Sequence, residues 1–412
     1  MESLSLFNQN KERVFFLIFC FVIFSTNILF YYQKYLHFKD EEVFKTTAKV
    51  VNIYDKKRFY TLKLQSDDFI SFISTSKDII INKNDQITLY LLTEDISFIE
   101  YLKGFYTKGF NLTLLNKQNN ISNNLQKLIS TQHTDKDISS IYEALFLAIP
   151  MDKSLREIFA KYGISHLIAI SGFHLAVLSF VLYFKFEKIY SFFHQRYLPF
   201  RNKRYDLLLV VCVCLFLYLI LTGVVPSLLR AFVMFLFGIF LLRNNIKLLS
   251  FETLFITVVL IVTLFPRLIF SLSLWFSVAG VFYIYLFIKY FKNLNKYIQI
   301  ILFNFWIYLS INPIVHYFFG TTAYEQLFSP ILTILFTVFY PFTLLLHILG
   351  VGGLMDSFIQ KALDIDINSF ELFTPLWFFL YYLAVSFASI IRIEAFYLLN
   401  FSFVGFSFYL FL

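Results

Sequence analysis

The chain has 412 residues, of which 58% are hydrophobic and only 15% charged, whereas an ordinary soluble domain carries roughly a quarter charged residues. That much apolar surface does not fit one water-soluble core, and runs of about 20 apolar residues, the length needed to cross a hydrocarbon slab about 30 Å thick, recur along the chain. The net charge of +8 does not by itself indicate a nucleic-acid partner, because basic residues gather in the cytoplasmic loops of any membrane protein.

Lys11 and Arg13 precede an apolar stretch from Val14 to about Tyr32 with no small-residue cleavage site after it. It reads as an uncleaved anchor, residues 1–35, with its N-terminus in the cytoplasm. From Val43 to about Leu115 the segments VFKTTAKVVNIY, RFYTLKLQ, DFISFIST and QITLYLL alternate in polarity and are separated by breaks such as YDKKR and NKND. Period-two alternation predicts antiparallel strands, and four or five of them predict a small OB-like barrel at 43–115, outside the cytoplasmic membrane. Residues 116–135 are polar, a linker or an exposed helix. Leu155, Ile158, Phe159 and Tyr162 then recur at helical spacing beside Lys153, Arg156 and Lys161, so 116–162 reads as a linker ending in an amphipathic helix, either at the membrane interface or packed on neighbouring spans.

After Gly163 apolar runs follow at about 164–184, 206–222, 226–242, 251–265, 268–288, 298–311, 328–349, 374–391 and 395–412. Placing 185–205 inside collects Lys185, Lys188, Arg196, Arg201, Lys203, Arg204, Arg243, Lys247, Lys289, Lys292 and Lys296 on the cytoplasmic side, against Arg267 and Arg392 outside. Residues 350–373 read as another interfacial helix. The expected fold class is a polytopic α-helical membrane protein of about 9–10 transmembrane helices, with a small N-terminal all-β OB-like extramembrane domain. Cys20, Cys212 and Cys214 all lie in apolar runs, so neither a disulfide framework nor a four-ligand zinc site is expected.

Two stretches set polar groups among these runs. In His166-Leu-Ile-Ala-Ile-Ser-Gly-Phe-His174 the histidines fall about 80° apart on a helical wheel and share one face, directed to the bundle interior or a water-filled cavity. No further metal ligand sits at helical spacing, Ser171 is not in a G-x-S-x-G elbow, and a Ser-His hydrolase lacks its third member. Polar residues that merely pack the bundle are the plain alternative. In Leu221-Thr-Gly-Val-Val-Pro-Ser-Leu-Leu-Arg230, Gly223 and Pro226 break one helix and start the next, with Ser227 and Arg230 near its outer end. Arg230 either snorkels to the interface or stands at the mouth of a pore. In the strand region Lys56, Lys57, Arg58, Phe59 and Tyr60 combine cations and rings as single-strand sites do, although a solvated turn has the same composition.

These motifs, with Phe270-Ser-Leu-Ser-Leu and Tyr317-Phe-Phe-Gly320 downstream, resemble in order the competence domain of the ComEC family of DNA-uptake channels, and the strand-rich segment resembles that family's OB-like domain. The resemblance implies an inner-membrane channel that conducts single-stranded DNA into the cytoplasm during natural transformation, with 163–412 as the channel domain. It marks His166, Ser171, Gly172, His174, Gly223, Pro226, Ser227 and Arg230 as pore-lining or motif positions, with no catalytic residue, metal or cofactor. Phe173 stands where the family more often has leucine. No metallo-β-lactamase-like domain with an H-x-H-x-D-H cluster occurs up to Leu412, so no nuclease activity is expected. No G-x-x-x-x-G-K-[ST] loop is present, so the driving force must come from a partner. The implied partners are single-stranded DNA, the lipid bilayer, a separate periplasmic DNA-binding protein and a cytoplasmic ATPase or helicase, with a homo-oligomer left open. The alternatives are a secondary transporter for a small solute, which inverted repeats would favour and none are found, and a membrane enzyme acting on lipid through His174 and Ser171.

Overall fold

The computed structural model describes residues 9–77, 81–115, 121–244 and 249–412; Lys247 and linker residues 116–120 lie outside the described residues. The described chain divides into two compact units, one taking residues 9–128 together with 258–271, the other 129–257 and 272–412.

The first unit opens with α1 (Asn10–Lys39), 30 residues long. Its strands are β1 (Val43–Asp55), β2 (Tyr60–Gln65), β3 (Ile70–Thr75) and β4 (Gln86–Leu92), followed by α2 (Phe98–Lys103), β5 (Phe105–Tyr106) and β6 (Gly109–Leu114). β1 is long enough to pair antiparallel with β2 on one side and β4 on the other, with a register shift between Val50 and Asn52. β3 pairs with β2 and, in parallel, with β5, while β6 pairs with β4. The sheet runs in the order β5-β3-β2-β1-β4-β6, and its two edge strands, β5 and β6, are successive parts of one segment, the arrangement of an OB-like barrel. Gly109 begins β6, where a Cβ would lie 3.1 Å from Ile73 and 3.3 Å from Leu89.

Alternation puts Val50, Leu62, Leu64, Ile73, Ile87, Leu89 and Leu91 in the barrel core. The last turns of α1 add Tyr35 and Phe38 to the same core, and the Tyr35 hydroxyl donates to the Ile96 carbonyl at 2.8 Å. Burying each such ring contributes about 1.5–3 kcal/mol, so the long apolar helix α1 ends as part of the barrel core. Residues 258–271 join this unit through Asn27, whose amide donates to the Thr263 carbonyl at 2.7 Å. Arg267 lies 4.4 Å from the Tyr31 ring and 5.7 Å from Tyr101, a guanidinium held between two aromatic faces.

The second unit is helical: α3 (Ile121–Ser130) leads into it, then α4 (Lys136–Leu147), α5 (Lys153–Lys161), α6 (Ser165–Ile168), α7 (Gly172–Tyr197), α8 (Lys203–Leu221), α9 (Pro226–Arg243), the first half of α10 (Phe251–Leu264), whose residues from 258 on belong to the first unit, α11 (Leu272–Phe291), α12 (Lys296–Phe318), α13 (Ser329–Ile348), α14 (Asp356–Leu363), α15 (Leu376–Ala388) and α16 (Ile393–Phe411). Among the described residues, 10–39, 203–221, 272–291, 296–318, 324–348 and 393–411 are long and apolar enough to cross a membrane, and 251–264 and 376–388 are apolar but shorter. The chain is a polytopic membrane protein.

α11, α12, α15 and α16 share a core around Tyr283, Trp306, Tyr382 and Phe396. Their polar groups pair across helices: Tyr283 with Ser386 at 3.0 Å, Tyr382 with the Ser310 carbonyl at 2.6 Å, and Trp306 with Asn400 at 2.8 Å. Such pairing is what lets Tyr, Ser and Asn reside in apolar spans. α7, α8 and α9 share another core around Leu175, Val211, Leu215, Leu219, Leu228 and Phe232.

Residues 350–373 fold as a short turn, α14, and a strand, β8 (Phe370–Glu371), paired with β7 (Thr321–Thr322). α4, within the stretch expected to be linker, buries Ile138, Ile141, Tyr142, Leu145, Phe146 and Leu147.

Candidate functional site

The run from His166 to His174 is not one helix, which corrects the expectation of a single span at 164–184 with both imidazoles on one face. α6 lasts four residues, the chain turns extended at Ala169, and α7 starts at Gly172 with Ser171 as its N-cap. The Ser171 amide donates to His174 Nδ1 at 3.2 Å, and the Ser171 hydroxyl lies 3.1 Å from the same nitrogen. Serine and histidine here form a reciprocal cap, with histidine in the place glutamate usually takes. Their competition for backbone groups ends one helix and begins another, which wheel geometry ignores. A nitrogen that accepts a backbone N–H bears no proton, so the neutral ring carries its proton on Nε2.

His174 is 1% exposed, its ring 4.5 Å from Tyr340 and 5.6 Å from Phe336. Nε2 makes no hydrogen bond of normal geometry, although the Leu167 carbonyl interacts with the ring. His174 therefore positions a helix start and does not line an open path in this structure. His166, in α6, is exposed.

The second motif turns sharply. Gly223 and Val224 both have left-handed backbone, φ 74° and 55°, and a β-branched residue there costs about 1–2 kcal/mol. α9 begins at Pro226, with Ser227 half-buried in its first turn. Arg230 is 6% exposed and does not snorkel. Its Nη1 donates to the Ser273 carbonyl and, at 3.2 Å, to the Ser273 hydroxyl. Its Nε is buried without an acceptor, and no carboxylate among the described residues lies within ion-pair distance.

Three motifs thus come together. A Cβ at Gly172 would lie 4.0 Å from that of Ala231, so the start of α7 abuts the start of α9. Ser273 of the Phe270–Leu274 stretch supplies the acceptors for Arg230, a role only the folded chain discloses. The Tyr317–Gly320 motif makes its contacts elsewhere, Tyr317 stacking on Phe379 at 4.1 Å.

In the barrel, Lys56, Lys57, Arg58 and Phe59 are exposed in a turn closed by the Lys56 amide donating to the Phe59 carbonyl at 3.0 Å. Tyr60 begins β2, with the Lys77 ammonium 5.1 Å from its ring. Sequence reasoning missed two further rows. Lys63, Phe72 and Tyr106 face one another across β2, β3 and β5, with Phe72 and Tyr106 stacked at 4.8 Å and Lys63 5.9 Å from the Phe72 ring. Lys45, Tyr90 and Phe110 repeat the arrangement across β1, β4 and β6, with ring centroids 5.9 Å apart. Alternation gives the outward face of each residue, but only strand register makes a row.

Apolar helices long enough to cross a membrane and an OB-like barrel define a polytopic membrane protein with a sheet domain near its N-terminus. A model of the competence protein family matches residues 150–412, more than half of the chain. The chain belongs to that family, and its role is in the uptake of DNA during competence. No curated protein and no solved structure matches it.

Proposed function

We propose that the protein conducts single-stranded DNA across the cytoplasmic membrane during natural transformation, with its N-terminus in the cytoplasm and the barrel on the outer side. The observation that carries this reading is Arg230, a buried guanidinium with no carboxylate partner among the described residues, early in α9 and beside the Gly172 turn. An uncompensated cation near a helix N-terminus is matched to phosphate. Sparse cations suit conduction, because a strand held tightly at each step would not move. The Lys–aromatic rows of the barrel support the same cargo, since single strands bind through cations along phosphates and rings under bases. The basic bias of the inner loops supports the orientation. A periplasmic DNA-binding protein, a cytoplasmic motor and association of several copies belong to this proposal.

Deleting the gene should abolish transformation by homologous DNA while DNA binding at the cell surface persists. Unimpaired transformation in the deletion strain would refute the proposal.

A further inference from the structure

Outside these motifs, three polar side chains from separate parts of the helical unit meet. His133, between α3 and α4, has its side chain fully buried, with Nδ1 2.8 Å from Asp356 Oδ1 at the head of α14. Its Nε2 lies 2.9 Å from Nε2 of His347, in the last turn of α13. The Nδ1 of His347 is in turn 2.8 Å from the Thr343 carbonyl. Tyr142 of α4 covers the pair, its ring 4.7 Å from His133 and 4.4 Å from His347. Gln132 reinforces the contact, accepting from the Gly352 amide at 2.8 Å and donating to the His347 carbonyl at 3.3 Å. Glycines allow this approach: a Cβ at Gly352 would fall 2.7 Å from the Gln132 side-chain oxygen, and one at Gly353 2.7 Å from the Gln132 carbonyl.

Proton counting decides the state of the cluster. The Thr343 carbonyl only accepts, so Nδ1 of His347 carries a hydrogen. The contact between the two Nε2 atoms needs one more, and the contact to Asp356 a third. Two neutral imidazoles supply only two. The third hydrogen is an added proton, shared by the imidazoles and balanced by the Asp356 carboxylate. Without it, two lone pairs face each other at 2.9 Å, or a flanking bond is lost. The titratable groups facing the pair are Asp356 from α14 and Tyr142 from α4. Burial, and then the charge of Asp356, push the Tyr142 phenol above its ordinary range, so it stays neutral.

We propose that His133, His347 and Asp356 form a proton-held latch, which clamps the segment leading into α4 onto the α13–α14 turn and releases it as pH rises. The latch is independent of the DNA-conducting reading, because it concerns how the chain is held and not what passes through it.

Hydrogen–deuterium exchange of the full chain in lipid nanodiscs, corrected for intrinsic rates, tests this between about pH 5 and 8, the span in which imidazole changes charge. The closed form holds one proton that the open form loses, so protection of residues 131–135 and 347–356 should fall by up to about tenfold per pH unit. In Asp356→Asn the carboxamide can donate to His133 Nδ1, bringing the third hydrogen with no added proton. That variant should stay protected and lose its pH dependence. Wild-type protection that does not vary with pH would overturn the latch, and so would an unchanged slope in Asp356→Asn. A stoichiometric divalent metal whose removal by EDTA opens the segment would also overturn it, by showing that a metal joins the two Nε2 atoms. The wild-type series decides the matter even where the variant fails to fold.

Discussion

Replacing Tyr106 by alanine tests the barrel as a strand-binding surface. Tyr106 is 71% exposed, with one face stacked on Phe72 at an interplanar angle of 21°. A base placed on its other face would lie on a ring already backed by a second ring and a lysine. Each such stack contributes about 1–3 kcal/mol, so its loss should weaken binding of a short single strand by about 5- to 150-fold, at about 1.4 kcal/mol per factor of ten. The fold should tolerate the change, since the ring pair itself contributes only about 0.5–1.5 kcal/mol. Fluorescence anisotropy of a labelled oligothymidylate, titrated with the full chain in nanodiscs at fixed salt, measures the effect. Tyr106→Trp should keep the affinity. If Tyr106→Ala binds within about twofold of wild type, the row is not a stacking platform.

Lys63→Ala should reduce the slope of log K against log salt by about 0.7, the share of one phosphate contact on a single strand; an unchanged slope would leave Lys63 only its contact with Phe72. Arg230→Ala should lower transformation frequency by about tenfold or more, the equivalent of one charge-assisted contact, with the amount of protein in the membrane, followed by immunoblot, unchanged. Normal frequency would show that Arg230 serves packing alone. Gly109→Leu should destabilise the barrel by about 1–3 kcal/mol through overpacking where β3 and β4 are bridged, read as lost exchange protection in β4 and β6. Protection equal to wild type would show that this contact has room to spare.

The membrane class, the positions of most helices and the four long strands were legible in the sequence, because hydropathy and alternation are properties of neighbouring residues. QITLYLL became β4, and the amphipathic stretch became α5, which buries Leu155 and Phe159. Local pattern misled where a polar side chain bonds its own backbone: Ser171 and His174 cap a helix in the middle of an apolar run. It also passed over α4, whose buried face is a matter of what packs on it.

The sequence by itself determined what kind of solvent each segment needs, since transfer of side chains between water and hydrocarbon depends on their composition. Tertiary structure alone decided which distant groups meet: Ser273 under Arg230, Tyr106 on Phe72, and His133 between Asp356 and His347. Such pairings are made by register, helix packing and the room left by single glycines, and these arise only when the whole chain has closed on itself.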